Sequence, residues 1–292
     1  MPGPRASSEV VFVDDRVYHL GLRASELAPR VFLVGDPARA YTVAGRFERV
    51  DHEVRHREFV TLTGLHRGRR VSVIGTGIGP DNVEIALVEA WALADEPLTA
   101  IRIGTSGGLR EDVPVGTLVV SSYAIGLDST GLFYDAPPAD ETVVALEREA
   151  RRAIDAGIRP GSRFAGALAP YASRATPSVV QALERSAARL RAPSVTGATV
   201  TSPGFFGPSG RLIEGVTNTV ADIKERLGAI EANGVRVYNM EMESSVLFHL
   251  AAQLGIRAGT ICPTISNPRG HARILDPAAA VAQAIGVAMD AL

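Results

Sequence analysis

The densest chemistry in this chain lies in Val237-Tyr238-Asn239-Met240-Glu241-Met242-Glu243-Ser244-Ser245. Two carboxylates, Glu241 and Glu243, flank Met242 just ahead of the apolar residues Val246, Leu247, Phe248, Leu250 and Ala251. A carboxylate entering a buried segment is costly unless something pairs with it. The paired hydroxyls of a sugar diol would match the two oxygens of one carboxylate. The same residues also describe a helix start whose acidic side chains suit the positive end of the dipole. Taken alone, that is the simpler reading.

Other stretches carry anion chemistry. In Gly35-Asp36-Pro37-Ala38-Arg39 a strand end meets a capped helix with Pro at its first position, so backbone N–H groups and Arg39 would face an anion. An ordinary strand-to-helix turn with a surface arginine fits equally well. In Arg102-Ile103-Gly104-Thr105-Ser106-Gly107-Gly108 a charge sits inside an apolar strand and needs an anion, from the protein or from a ligand. Thr105 follows at the strand's C-terminal end, where α/β sheets bind ligands. In Arg55-His56-Arg57-Glu58-Phe59, alternation places Arg55 and Arg57 on one face of a strand, most simply a solvated edge. Gly75-Thr76-Gly77-Ile78-Gly79 has the wrong glycine spacing for a dinucleotide fingerprint.

Composition removes several classes of function. The formal net charge is −2, so no basic field exists for nucleic acid. Cys262 is the single cysteine, which excludes an intrachain disulfide and fits a reducing compartment, the cytoplasm; after an apolar strand it reads as core. Histidines 19, 52, 56, 66, 249 and 271 show no metal spacing, so no metal is expected. No run approaches a membrane span, and no secretory signal is expected at the N-terminus. Lys224 is the only lysine, so any phosphate site must use arginines.

The elements that position these residues alternate strand and helix. Strands are expected at 30–34, 99–103, 118–121, 163–168, 194–200, 235–238 and 257–262, and as a pair at 54–62 and 70–74 around a turn at 64–68. Helices are expected at 37–47, 82–94, 140–156, 177–190, 217–232, after Glu243, and at 276–292. Residues 1–15 read as a loose lead-in to one α/β domain at 16–292 with a parallel or mixed sheet.

Seven stretches in register resemble the nucleoside phosphorylase family, its uridine phosphorylase branch in particular. They are Val17-Tyr18-His19-Leu20-Gly21-Leu22, Gly35-Asp36-Pro37-Ala38-Arg39, His56-Arg57-Glu58-Phe59, Thr76-Gly77-Ile78-Gly79, Arg102 to Gly108, Phe205-Phe206 with Arg211, and Glu241-Met242-Glu243-Ser244. The resemblance implies a three-layer α/β/α domain with a central mixed sheet. It implies phosphorolysis, nucleoside plus phosphate giving free base and α-pentose 1-phosphate, with inorganic phosphate as co-substrate and no cofactor. By the same likeness Gly35, Arg39, Arg102 and Thr105 would bind phosphate, and Arg57 would reach a neighbouring subunit's phosphate. His19 would meet a neighbour's sugar, Met242 and Glu243 would hold the ribose, and Arg102, Thr105 and Glu243 would carry catalysis.

The base site would comprise Phe205, Ser209, Arg211 and Asn267. Here the chain departs from the uridine branch, which has Gln where Ser209 stands. A hydroxyl lacks an amide's donor-and-acceptor pair. Thr264-Ile265-Ser266-Asn267-Pro268-Arg269 also differs from that branch, with Pro268 between Asn267 and Arg269. A purine or modified nucleoside therefore stays open as substrate. So does a nucleosidase of the same fold, or a non-enzymatic relative, although the arginine set and Glu243 argue for phosphorolysis.

Overall fold

The computed structural model describes residues 9–267, 272–273 and 277–292. Two short strands, β1 (Phe12–Val13) and β2 (Arg16–Val17), pair as a ribbon, so part of the expected loose lead-in is ordered; residues 1–8 lie outside the described residues. Then come β3 (Arg30–Val34), α1 (Pro37–Ala44), β4 (Arg49–His56), β5 (Phe59–His66), β6 (Arg69–Gly75), α2 (Pro80–Leu93), β7 (Thr99–Ile103), β8 (Ser106–Gly108) and β9 (Leu118–Gly126). The second half has α3 (Glu141–Gly157), β10 (Tyr171–Arg174), α4 (Pro177–Arg189), β11 (Ser194–Thr201), α5 (Ile223–Gly228), β12 (Glu231–Ala232) and β13 (Val235–Glu241). It ends with α6 (Ser244–Leu254), β14 (Arg257–Asn267), β15 (Ala272–Arg273) and α7 (Ala278–Ala291).

The result is the expected three-layer α/β/α fold on a mixed sheet, ordered β10-β9-β11-β13-β8-β14-β7-β3-β6-β5-β4 among the described residues. Helix α2 packs with α6, α4 packs with α7, and α3 packs with α5. Strands β3, β6 and β7 run parallel with Phe32, Val73 and Ile101 fully buried, as covering both faces of a parallel sheet requires. Strand β14 pairs with β7 and β8 on one side and antiparallel with β9 on the other. That second pairing closes β9, β11, β13, β8 and β14 into a ring.

Four sequence expectations are corrected, each for a local reason. The strand expected at 54–62 is two strands, because Arg57 takes φ +52° in a tight turn closed by the pair His56–Phe59. Arg55 and Arg57 therefore do not share a strand face. The strand expected to end at Cys262 continues to Asn267, with Pro263 opposite Leu118 where β14 passes from β7 to β8. The helix expected over 217–232 shrinks to α5. It starts after Asp222 at φ +51°, and Asn233-Gly234, at φ +49° and +78°, turn the chain into the hairpin β12–β13. That dipeptide is the strongest short hairpin signal. The segment 163–168 is turn, with Gly166 at φ +74°, and the edge strand is β10.

Candidate active site

The C-terminal ends of the central strands surround a cavity of about 650 Å³, the size of a small-molecule site. Its floor is an ionic cluster. Strand β13 alternates, so Asn239 and Glu241 face one side and Met240 the other. Asn239 accepts from Thr199 Oγ1 at 2.7 Å and donates to Ser106 Oγ at 2.9 Å. Glu241 accepts from Thr201 Oγ1 at 2.7 Å and from the backbone N–H of Glu243 at 3.0 Å and Ser244 at 3.1 Å. Glu241 thus caps α6, the role the helix-start reading gives to this stretch.

Glu243 lines the cavity beside Glu241 and takes different backbone partners. Its Oε1 accepts from Gly79 N at 3.0 Å, and Oε2 accepts from Arg102. Arg102 also pairs with Glu241 Oε2 at 3.0 Å and donates to Cys262 Sγ at 3.3 Å. All three charged groups are buried. One guanidinium between two carboxylates answers the question Arg102 raises in the sequence: protein carboxylates supply its anions. Burial lowers the Arg102 pKa, but the two carboxylates outweigh it and the net shift is upward. Burial pushes Glu243 above its ordinary value against the pull of Arg102, with Glu241 adding repulsion. Burial raises the Cys262 thiol to about 12, so it is inert core and no nucleophile.

The phosphate residues of the sequence reading form one wall. Gly35, Arg39, Arg102 and Thr105 all line the cavity. A Cβ on Gly35 would come within 3.3 Å of Gly77 O and 3.8 Å of Glu243 Oε1, so a side chain there would narrow the floor. The expected open N–H groups of α1 are absent. Pro37 has none, Ala38 N donates to Asp36 Oδ1 at 2.9 Å, and Arg39 N donates to Asp36 O at 2.9 Å. The pull on an anion comes instead from Arg39, which is half-buried and held by Ile103 O at 3.1 Å, with no ion pair among the described residues. Burial and the nearby Arg102 lower its pKa. Thr105 adds a hydroxyl with no protein partner among the described residues.

At the far end Phe205, Ser209 and Arg211 line the cavity. Arg211 lies 3.6 Å over the Phe205 ring and donates to Ser209 Oγ at 2.7 Å and Phe205 O at 2.5 Å. Ser209 Oγ in turn donates to Phe205 O. The serine hydroxyl therefore fastens Arg211 within its loop.

Asn267 follows the lining residues Ile265 and Ser266 and is buried, and its amide donates to Arg110 O at 2.7 Å and Val113 O at 3.0 Å. Pro268 and Arg269 lie outside the described residues.

His19 and Arg57 stand together outside their own chain's cavity. His19 Nδ1 meets Glu89 Oε1 at 2.7 Å, Tyr18 packs edge-on to the His19 ring at 4.9 Å, and Arg57 covers Tyr18 at 4.6 Å. The sequence reading missed Gly77, Ile78, Ser202, Ile265 and Lys224 as wall residues. Positive φ at Gly77 (+80°) and Gly79 (+116°) explains the glycine run: it bends so that Gly79 N can hold Glu243. A solitary lysine in an arginine-rich chain was the available sign of Lys224. Among the described residues no three His, Cys, Asp or Glu side chains gather as a cation site.

Residues 29–290 match the family description "Phosphorylase superfamily". The chain belongs to the phosphorylase superfamily. Within this family it is 28% identical to the uridine phosphorylase of Escherichia coli over 253 residues, 86% of each chain. It is 27% identical to that of Thermococcus kodakarensis over 256 residues, 86% of this chain and 77% of the relative. A solved Trypanosoma brucei nucleoside phosphorylase, described as showing uridine phosphorylase activity, superposes with a TM-score of 0.87 at 30% identity. That superposition covers 97% of this chain and 99% of the other. Among the described residues, no helix is long and apolar enough to cross a membrane.

Proposed function

We propose that this chain is a pentosyltransferase that splits uridine-like nucleosides with inorganic phosphate into free base and α-pentose 1-phosphate. The observation that carries this reading is one cavity lined both by Arg39, with no ion pair among the described residues, and by Glu243. Phosphate lies against Gly35, Arg39, Arg102 and Thr105. The ribose hydroxyls meet Glu243, with Met242 beneath the sugar. The base stacks by Phe205 near Arg211.

Phosphate attacks a glycosidic carbon poorly, so the reaction gains from holding the two partners in line while the C–N bond stretches toward an oxocarbenium-like state. Carboxylates beneath the ring favour the positive charge developing there, and fixed donors favour the negative charge leaving with the base. Arg102 serves the sugar and the phosphate alike, since it pairs with Glu243 and lines the cavity with Gly35, Arg39 and Thr105. No resident cofactor enters the scheme.

His19 and Arg57 complete a neighbour's site in this reading, which makes the enzyme a homo-oligomer, and its setting is the cytoplasm. Base release from a nucleoside panel, followed by chromatography with and without phosphate, tests the proposal. Release from uridine that requires phosphate supports it; release unchanged without phosphate would make the protein a nucleosidase.

A further inference from the structure

The sugar and phosphate chemistry leaves one cavity residue without a task. Lys224, the chain's single lysine, lines the same cavity as Arg211. Its place is fixed by packing. Ile223 and Leu227 are buried in the core, and Gly228 lets α5 sit on Leu109, where a Cβ would come within 2.4 Å of Leu109 O. The lysine stem passes Gly210, whose φ is +70° and where a Cβ would stand 3.5 Å from Lys224 Cγ. The ammonium is half-buried and has no hydrogen bond or ion pair among the described residues. The carboxylates on the cavity wall are Asp36, Glu241 and Glu243. The first caps α1, and the other two are taken by Arg102. Burial, with Arg211 adding repulsion, lowers the Lys224 pKa against the pull of the neighbouring Glu225.

We propose that Lys224 is a specificity-determining donor to the departing base, meeting the oxygen on which negative charge gathers and favouring bases that leave as oxo anions. The inference rests on the phosphorolysis reading above. A phosphate oxygen forms the new bond to the anomeric carbon as the C–N bond breaks. Its electron pair stays on the base nitrogen and spreads to the ring oxygens. Lys224 donates a hydrogen bond to that charge and keeps its proton, and water protonates the released base. Arg211 is fastened to Phe205 and Ser209, whereas the lysine has a flexible stem and three donors with which to follow the base outward. An exocyclic amino group at the same place would present a donor to a donor. The position thus supplies a reaching donor, though not the acceptor that an amide at 209 would add.

The test compares the unaltered protein with K224M and K224R. Rates are measured on uridine and 5-fluorouridine at saturating phosphate, with equilibrium binding of free 5-fluorouracil at a pH where that base is ionised. K224M is expected to lower kcat on uridine about 10- to 100-fold, the value of one hydrogen bond to a charged group. The loss should be smaller on 5-fluorouridine, whose fluorine already stabilises the base anion. K224R should recover most of the rate, and 5-fluorouracil should bind K224M more weakly by a similar factor. Equal losses on the two nucleosides, a loss confined to KM, or unchanged rates would overturn the role. If the unaltered protein releases no base yet 5-fluorouracil binding depends on Lys224, the reaction assignment fails and the lysine contact stands. If binding is the same in K224M, the lysine contact falls whatever the activity.

Discussion

The two ends of the cavity are built differently. The sugar and phosphate end rests on strand termini: Glu241 and Glu243 at the close of β13, Arg102 within β7, all buried and joined to one another. Each rotamer there is held by a second partner, such as Thr201 for Glu241 and Gly79 for Glu243. The base end hangs on a loop and the short helix α5, with Phe205 more than half exposed and Arg211 bonded to Phe205 O and Ser209 Oγ of its own loop. In the proposed reaction, the chemistry common to all substrates sits on the rigid sheet. The part that distinguishes substrates sits where residues change at little cost to the core.

Substitutions at the two ends should therefore differ in kind as well as in size. Replacing Glu243 by alanine should lower turnover about 10³-fold, the scale for losing a preorganised electrostatic group. The fold should survive, because Arg102 keeps Glu241; cooperative urea unfolding with near-unaltered activity would break the assignment of the sugar end. Arg102→Met strands two buried carboxylates side by side and should cost about 3–5 kcal/mol in urea denaturation. Arg211→Met at the base end should cost under about 1 kcal/mol, as a side chain bound to a surface loop. Equal costs would erase the contrast.

Arg39→Met should raise KM for phosphate about 10- to 100-fold, the value of hydrogen bonds to a charged ligand. Stability should hardly change, since Arg39 is held by a single carbonyl at 3.1 Å. A kcat loss with KM unchanged would place the arginine elsewhere in the reaction. Ser209→Ala loosens Arg211 and should lower kcat/KM about tenfold, roughly 1.5 kcal/mol for one hydrogen bond from a charged donor. Nucleoside preference should shift more than phosphate KM.

Acid should act on the sugar end alone. The Glu243 pKa is raised above its ordinary 4.5 by burial. Its protonation detaches it from Arg102, so the acid limb of kcat/KM should lie above 4.5. Stability moves the opposite way: the contribution of a group whose folded pKa is raised is present below its unfolded value and lost as pH rises through the folded one. An acid limb at or below the ordinary carboxylate value would show that Glu243 stays ionised and that another group sets the profile.

Legibility in the sequence followed the range of the interactions. Strand β3, helix α1 and strand β7 were readable because their patterns are local: apolar runs, a capping aspartate and a proline at the first helical position. The hairpin turn at Arg57 carries no glycine, so nothing local announced it. The hairpin at Asn233-Gly234 did carry its sign, which the helix reading overrode. Among the site residues, Gly35, Arg39, Arg102, Thr105, Met242 and Glu243 came together on one cavity, as did Phe205, Ser209 and Arg211. The hold on the Asn267 amide by the carbonyls of residues 110 and 113 spans 150 or more positions, so no local pattern announces it.

The sequence by itself determined the residue types: two carboxylates in Glu-Met-Glu, an arginine inside an apolar strand, glycine-rich strand ends and a single lysine. Those are matters of charge, burial cost and backbone freedom, which a short segment expresses alone. Only the tertiary structure decided which carboxylate does what. Glu241 and Glu243 are alike in type and two residues apart, and both line the cavity, yet one caps α6 and the other takes the Gly79 N–H. Strand pleat, helix entry and the approach of Gly79 and Arg102 from distant segments make that choice, and no local pattern encodes it.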